Sequence, residues 1–549
     1  MKINIKHIFI ACLMGVSSQS VLAQTEFNID GEVQDAEVVI EKERKIELNK
    51  EYKLYEFIKW KPATATPVAK PSEFKWYIYD VANEPMQFAP AKAKVQQKEK
   101  SYQHYGKAGF GNYTSPLLDV SMTTAGDANQ MVGLNIKHES FGTGEVDGKN
   151  SGTAASEINL YGAMIREQIK LESSLNYRLE KNYYYGYPEG TVVNNSDIKH
   201  NANFINLGLS ATDNQLEDAW SYSAGANFKH YSDNFDVSEN TFLTSIGVGY
   251  GEQFFLDTDL ALSKYTDTGI DESRSYVRLN PYYRLTIQRL QLDVGLSASF
   301  QNDDIPDLSS SRFFPYAKAS YSLTEDYTVF AKLDGGYTFN SLYDFAQEVG
   351  YLNQAVGIVN SQRSFDLTGG ITGNLMEQLS VTAMVGYQSI KYLPILLNNA
   401  ADQSRLDLIY DPEHSNVFTF KGSAQYEVND AHQVSLGVNV YGYSSSSYDQ
   451  IYHRPTSEIL VSGDHQIIPK LNAKWNFTFT GGLVGRDQAT DTDIILDAIP
   501  QLDLGLHYQL KEQWGIFLSG ENLINKKYQR YLYYTQRGIQ IKGGVTFRL

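Results

Sequence analysis

Thiol chemistry is missing from this chain except for Cys12, and Cys12 lies in a segment that reads as a removable leader. Residues 1–23 combine Lys2 and Lys6, an apolar stretch from Ile8 to Val16 and small-residue spacing at Val21-Leu22-Ala23, the pattern of a secretory signal. The mature chain is expected to begin near Gln24 with no disulfide and no thiolate metal site, which excludes a disulfide-stapled exported domain. Long hydrophobic runs are lacking too: nothing downstream reaches the ~18 apolar residues of a membrane-crossing helix. The net charge of −17 leaves no basic face for phosphate and argues against nucleic acid as a partner. There is no glycine-rich phosphate loop, no His-Glu-x-x-His and no triad-like context, and the 10 histidines are scattered without ligand spacing. No cofactor and no catalytic residue is expected.

Aromatics, by contrast, are abundant: 39 Tyr and 26 Phe bring them to 13% of the chain, while mean hydropathy stays negative. That pairing fits a transmembrane β-barrel, whose strands alternate between lipid and a polar lumen and whose aromatics girdle both interfaces. Residues 539–549 alternate apolar and polar throughout, as do Ile169-Lys170-Leu171-Glu172-Ser173-Ser174-Leu175-Asn176-Tyr177-Arg178-Leu179 and Val434-Ser435-Leu436-Gly437-Val438-Asn439-Val440, each reading as a strand with one apolar face.

A repeated cue marks tight turns: Leu323-Thr324-Glu325-Asp326, Leu375-Met376-Glu377-Gln378 and Leu510-Lys511-Glu512-Gln513 each sit between alternating segments. The opposite connections, at 183–196, 339–361, 444–455 and 487–500, read as long and polar, and short turns on one side with long loops on the other is the asymmetry of an outer-membrane barrel. Counting back from Leu549 predicts an all-β, antiparallel transmembrane barrel over 102–549 of about 22 strands (range about 18–22), with both ends of the barrel on the periplasmic side. Residues 24–101 differ. Pro62, Pro67, Pro71, Pro85 and Pro90 and lysines at 92, 94, 98 and 100 read as a linker-like periplasmic arm, with a short helix expected within 49–60 that ends at Pro62.

The run Gly520-Glu521-Asn522-Leu523-Ile524-Asn525-Lys526-Lys527-Tyr528 followed by Gly544-Val545-Thr546-Phe547-Arg548-Leu549 resembles the last two strands of the TonB-dependent receptor barrel, closely over the last forty or so residues and loosely over 102–549. The resemblance implies an outer-membrane location, uptake or passage of a ligand bound by the external loops, and a plug domain before the barrel, although residues 24–101 are too few for a standard one. It also implies that Asp35, Glu37, Val38, Val39 and Ile40 contact TonB, a stretch that equally fits an acidic extended tail. Val545, Phe547 and Leu549 would be the C-terminal strand that the barrel-assembly machinery handles, with outer-membrane lipid around the wall.

A barrel of this width needs its lumen filled, by the arm, by the loop at 339–361 or by a separate protein. Phe74-Lys75-Trp76-Tyr77-Ile78-Tyr79 is apolar enough to need a partner, and Trp76 and Tyr77 would pair with a periplasmic or lipoprotein partner by edge addition or pack under the barrel. The competing function is therefore a non-transporting accessory barrel that holds such a partner through its arm.

Three weaker candidates complete the reading. His138 and Ser140 share a face with Val132, Leu134 and Ile136 and suggest a lipid-acting pair, or else polar residues at headgroup level. Asp487, Asp491, Asp493 and Asp497 offer oxygens to a hard cation or form a solvated acidic loop. Lys170, Glu172 and Arg178 would line the lumen and tune passage, or simply form its wet face.

Overall fold

In a computed structural model, the described residues are 103–549 apart from 125–128, 189, 214–218, 268 and 354–355. The leader, the arm, the 49–60 helix, Asp35, Glu37, Val38, Val39, Ile40, Trp76 and Tyr77 lie outside them.

Strand after strand pairs antiparallel with its sequence neighbour into a 22-stranded sheet. The sheet closes where the first strand, His104–Gly111, pairs with the last, Gln540–Arg548, in the register Tyr105↔Arg548 to Gly111↔Lys542. Closure leaves no edge strand, which lets backbone polar groups sit in lipid. The seam is tight: a Cβ on Gly544 would lie 2.1 Å from the Ala108 carbonyl oxygen, and one on Gly109 2.5 Å from the Phe517 ring. The ring covers the space the glycine leaves open, and Lys107 Nζ stands 4.0 Å from its centroid.

Alternation holds around the wall. Leu175, Tyr177 and Leu179 are exposed on the outer face, so Lys170, Glu172 and Arg178 point into the lumen, where Lys170 and Glu172 are 2.8 Å apart and Arg178 pairs with Glu180. Val545 and Leu549 are exposed and Phe547 shares their outer face, whereas Lys542 and Thr546 are buried inside.

The short turns 288–289, 323–326, 377–378, 469–470 and 510–513 lie at one end, together with the outer ends of the two closing strands, while 112–114 and 234–237 are short connections at the other end. In the turn after Ser322, Thr324 Oγ1 accepts from the amides of Asp326 (3.1 Å) and Tyr327 (3.2 Å), the hydroxyl standing in for a backbone acceptor. The long connections all lie at the other end.

Three local expectations change. The loop at 339–361 contains a helix, Leu342–Glu348, whose first turn is capped by Ser341 Oγ accepting from Asp344 N. The 487–500 stretch is entered through a small hairpin of Val484–Asp487 and Thr492–Ile495. The penultimate strand, Trp514–Glu521, stops inside the receptor-like run. Asn522 and Asn525 adopt φ of 51° and 57°, a left-handed conformation that asparagine tolerates better than most residues. The Asn522 amide group then donates to the carbonyls of Lys526 (3.1 Å) and Arg537 (2.9 Å), stapling the 522–539 loop.

Candidate functional site

The long loops are not polar tails in solvent. Those at 184–198, 339–360, 445–456, 482–498 and 522–539 fold over the mouth and bury aromatic and aliphatic side chains against one another. Tyr185, Tyr343, Tyr531 and Tyr534 are buried together with Leu342, Phe345, Val349 and Ile358, and Tyr184 is buried beside Tyr183 and Ile198. Tyr351 stacks on Tyr534 at 3.7 Å between centroids, and Tyr185 meets Tyr534 edge-on at 4.8 Å. Each such ring removes a large apolar area from water, and a buried phenol must find an acceptor. Tyr184 donates to the Leu352 carbonyl at 2.9 Å, and Tyr534 donates to that of Ser404. Burial raises the pKa of the loop phenols Tyr184, Tyr351 and Tyr534, which keeps them as donors.

The wall bends to meet this cap. The hairpin of Leu379–Asn398 and Leu406–Asn429 has a register shift between Lys391 and Leu393, with Tyr392 at φ 57°, and such a bulge re-aims a strand. Below it Val385 and Tyr387 are exposed to lipid; above it Leu393, Ile395 and Leu396 are all buried, both faces now packed by loops.

Polar clamps hold the helix Leu342–Glu348 against this wall. Lys229 Nζ reaches Asp344 Oδ1 at 2.7 Å, Glu239 Oε2 accepts from Tyr343 N at 2.9 Å, and Arg454 Nη1 meets Glu348 Oε1 at 2.5 Å. The feet of the loop are tied by Arg274, which forks onto Asp303 at 2.9 and 3.0 Å and also donates to the Asn340 carbonyl (2.7 Å) and Asn360 Oδ1 (2.6 Å). A bidentate pair with every neighbouring donor occupied is the arrangement that makes a buried charge tolerable.

His453 lies beneath this cap, at φ 58° and fully buried. Its Nε2 donates to Asn398 Oδ1 at 3.2 Å, and Nδ1 has no partner among the described residues. Burial and the neighbouring Arg530 and Arg454 lower its pKa to about 3, so the ring is neutral.

The weaker candidates separate. His138 Nδ1 lies 2.8 Å from Ser156 Oγ on the adjoining strand, not from Ser140, because cross-strand neighbours are closer than i, i+2 neighbours. Asp491 and Asp493 pair with Arg486 at 2.5 and 2.8 Å, Asp497 with Lys526 at 3.5 Å, and Asp487 Oδ1 accepts from Ala489 N at 2.8 Å. Asp491 and Asp493 thus share Arg486 while Asp487 and Asp497 answer to other donors; among the described residues no group of acidic or histidine side chains converges for a metal.

The tyrosines of the cap went unassigned in the sequence, where aromatics read as interface girdles. The signal was their clustering in segments that fail to alternate: Tyr183-Tyr184-Tyr185-Gly186-Tyr187 and Tyr531-Leu532-Tyr533-Tyr534.

No family model matches the chain, and no curated protein sequence does. Solved structures do. The siderophore receptor PiuA from Acinetobacter baumannii is 11% identical with TM-score 0.59, over 83% of this chain and 82% of that one. The ferric-catecholate import receptor Fiu from E. coli K12 is 10% identical with TM-score 0.59 over 83% and 82%, and the FrpB iron transporter from Neisseria meningitidis is 10% identical with TM-score 0.60 over 82% and 83%. The chain has the barrel fold of the TonB-dependent receptors.

Proposed function

We propose that this protein resides in the outer membrane and serves the uptake or passage of a ligand, with its external mouth closed by its own loops. The observation that carries this is the helix Leu342–Glu348, which lies across the inside of a closed 22-stranded wall and is clamped by lumen-facing Lys229 and Glu239. The fold shared with siderophore and iron receptors supports a scarce, iron-chelating ligand class, and by that analogy Asp35, Glu37, Val38, Val39 and Ile40 are the contact for a TonB-type energiser. No enzymatic role is assigned. Reconstituting the protein in planar bilayers tests the closed mouth: a silent wild type and a conducting variant lacking residues 342–348 support it, while a freely conducting wild type rules it out.

A second reading keeps the barrel as a non-transporting subunit that holds a periplasmic or lipoprotein partner through the arm, Trp76 and Tyr77 included. It is favoured by the loop aromatics being spent on one another rather than lining an open pocket. Deletion of residues 24–60 separates the two: loss of energised uptake supports the receptor, and loss of a stoichiometric co-purifying protein supports the subunit. Handling of Val545, Phe547 and Leu549 by the assembly machinery belongs to either reading.

A further inference from the structure

The lipid-facing wall at the short-turn end carries a polar assembly that neither reading uses. His432 opens the strand His432–Ser444, and His465 lies directly opposite it in Ser457–Ile468. Trp475, in Leu471–Gly481, stands opposite Gly463. All three share the outer face with Val434 and exposed Leu436. Trp475 Nε1 donates to His465 Nε2 at 3.1 Å, and the Nδ1 atoms of His465 and His432 are 3.3 Å apart. A Cβ on Gly463 would lie 2.4 Å from Trp475 Nε1 and 2.6 Å from His465 Nε2, so the meeting of indole and imidazole requires glycine beneath them.

The donors set one direction through this chain. Indole N–H only donates, so His465 Nε2 is the acceptor and, in a neutral ring, its proton sits on Nδ1. That Nδ1–H donates to His432 Nδ1, which places the His432 proton on Nε2. The relay ends there on an N–H that meets no protein acceptor among the described residues, at the level where strand gives way to turn. Exposed Ile467 and Ile468 and the turn residue Lys470 belong to the same hairpin as His465 and Trp475.

We propose that His432, His465 and Trp475 form a phospholipid site, in which His432 Nε2–H donates to a phosphodiester oxygen of a lipid in the short-turn leaflet. The acyl chains run along Tyr426, Val434 and Leu436, and Trp475 holds the relay in register. Phosphate supplies the strong, outward-facing acceptor that an apolar belt otherwise lacks, and an N–H to a charged oxygen is worth more than one to a neutral acceptor. The site rests on the barrel spanning a membrane but on neither transport nor partner binding.

The test is native mass spectrometry of the purified full chain, released from nanodiscs of mixed phosphatidylglycerol and dioleoylglycerol. Wild type is expected to retain one phosphatidylglycerol in preference to the phosphate-free lipid. His432→Leu is expected to lose that retention by roughly tenfold, the loss of one charge-assisted hydrogen bond. Trp475→Phe should lose part of it, and His432→Gln, which keeps a donor, should restore most. His138→Leu, at the opposite end of the outer face, should change nothing. Equal retention of the two lipids by wild type overturns the proposal without any variant needing to fold, as does full retention by His432→Leu.

Discussion

The two ends of this barrel are built from the same strands yet solve opposite problems. At the short-turn end most reversals take two to four residues, and the turn after Ser322 satisfies its own backbone through Thr324, which serves Asp326 and Tyr327. At the other end most connections are far longer, and those loops satisfy one another: Tyr184 with Leu352, Tyr534 with Ser404, Arg454 with Glu348. The first end is a set of independent hairpins, whereas the second is a small cooperative core laid across a pore. A change at one turn should stay local, and a change in one loop should loosen the whole cap.

Removing residues 342–348 is the strongest way to test that contrast, and the expected result is stable conductance where wild type shows none. Tyr534→Ala comes next. It removes the ring that joins Tyr185 to Tyr351 and is expected to cost the cap roughly 3–5 kcal/mol, as large aromatic truncations do, read as faster hydrogen exchange in 342–348 and 184–198 together. Confinement of that change to 522–539 would show the loops to be independent after all. Arg454→Met leaves Glu348 buried without its partner and is expected to cost about 3 kcal/mol, with much of it recovered when Glu348→Met is added.

Acid gives a smaller, graded effect. The folded pKa of His453, about 3, lies below the ordinary value of ~6.5. Between those two values an opened cap binds a proton that the closed cap does not. Cap stability is therefore complete above about pH 6.5 and declines as pH falls toward 3, by at most ~1.4 kcal/mol per unit, or about 2 kcal/mol at pH 5. Loop exchange measured against pH should show this slope in wild type and lose it in His453→Asn, a residue that tolerates the left-handed backbone. Smallest of all, Thr324→Ala at the opposite end should cost about 0.5 kcal/mol or less, and it should leave exchange in the loops unchanged.

Much of the wall was legible in residue order because a strand's side chains alternate strictly between two solvents. The number of strands, the side of the short turns and the inward set of Lys170, Glu172 and Arg178 all follow from that period. The Asn522–Asn525 run was legible as a signature but not as a structure, since it works by left-handed φ in a loop rather than by strand pairing. Loop composition misled in the other direction. Tyrosine in a polar segment reads as amphipathic and exposed, and nothing local says that Tyr185, Tyr351 and Tyr534, far apart in the chain, pack on each other.

What the sequence determined by itself is the barrel: its strand count, its even parity and its two-faced wall, because period-two alternation is a local property that each strand satisfies against lipid and water alone. Only the tertiary structure decided that the long loops pack on one another, that His138 answers to Ser156 and that His432, His465 and Trp475 meet in one chain of contacts. Those contacts depend on which strands and loops become neighbours once the sheet closes, and the closing register brings together residues that no local pattern relates.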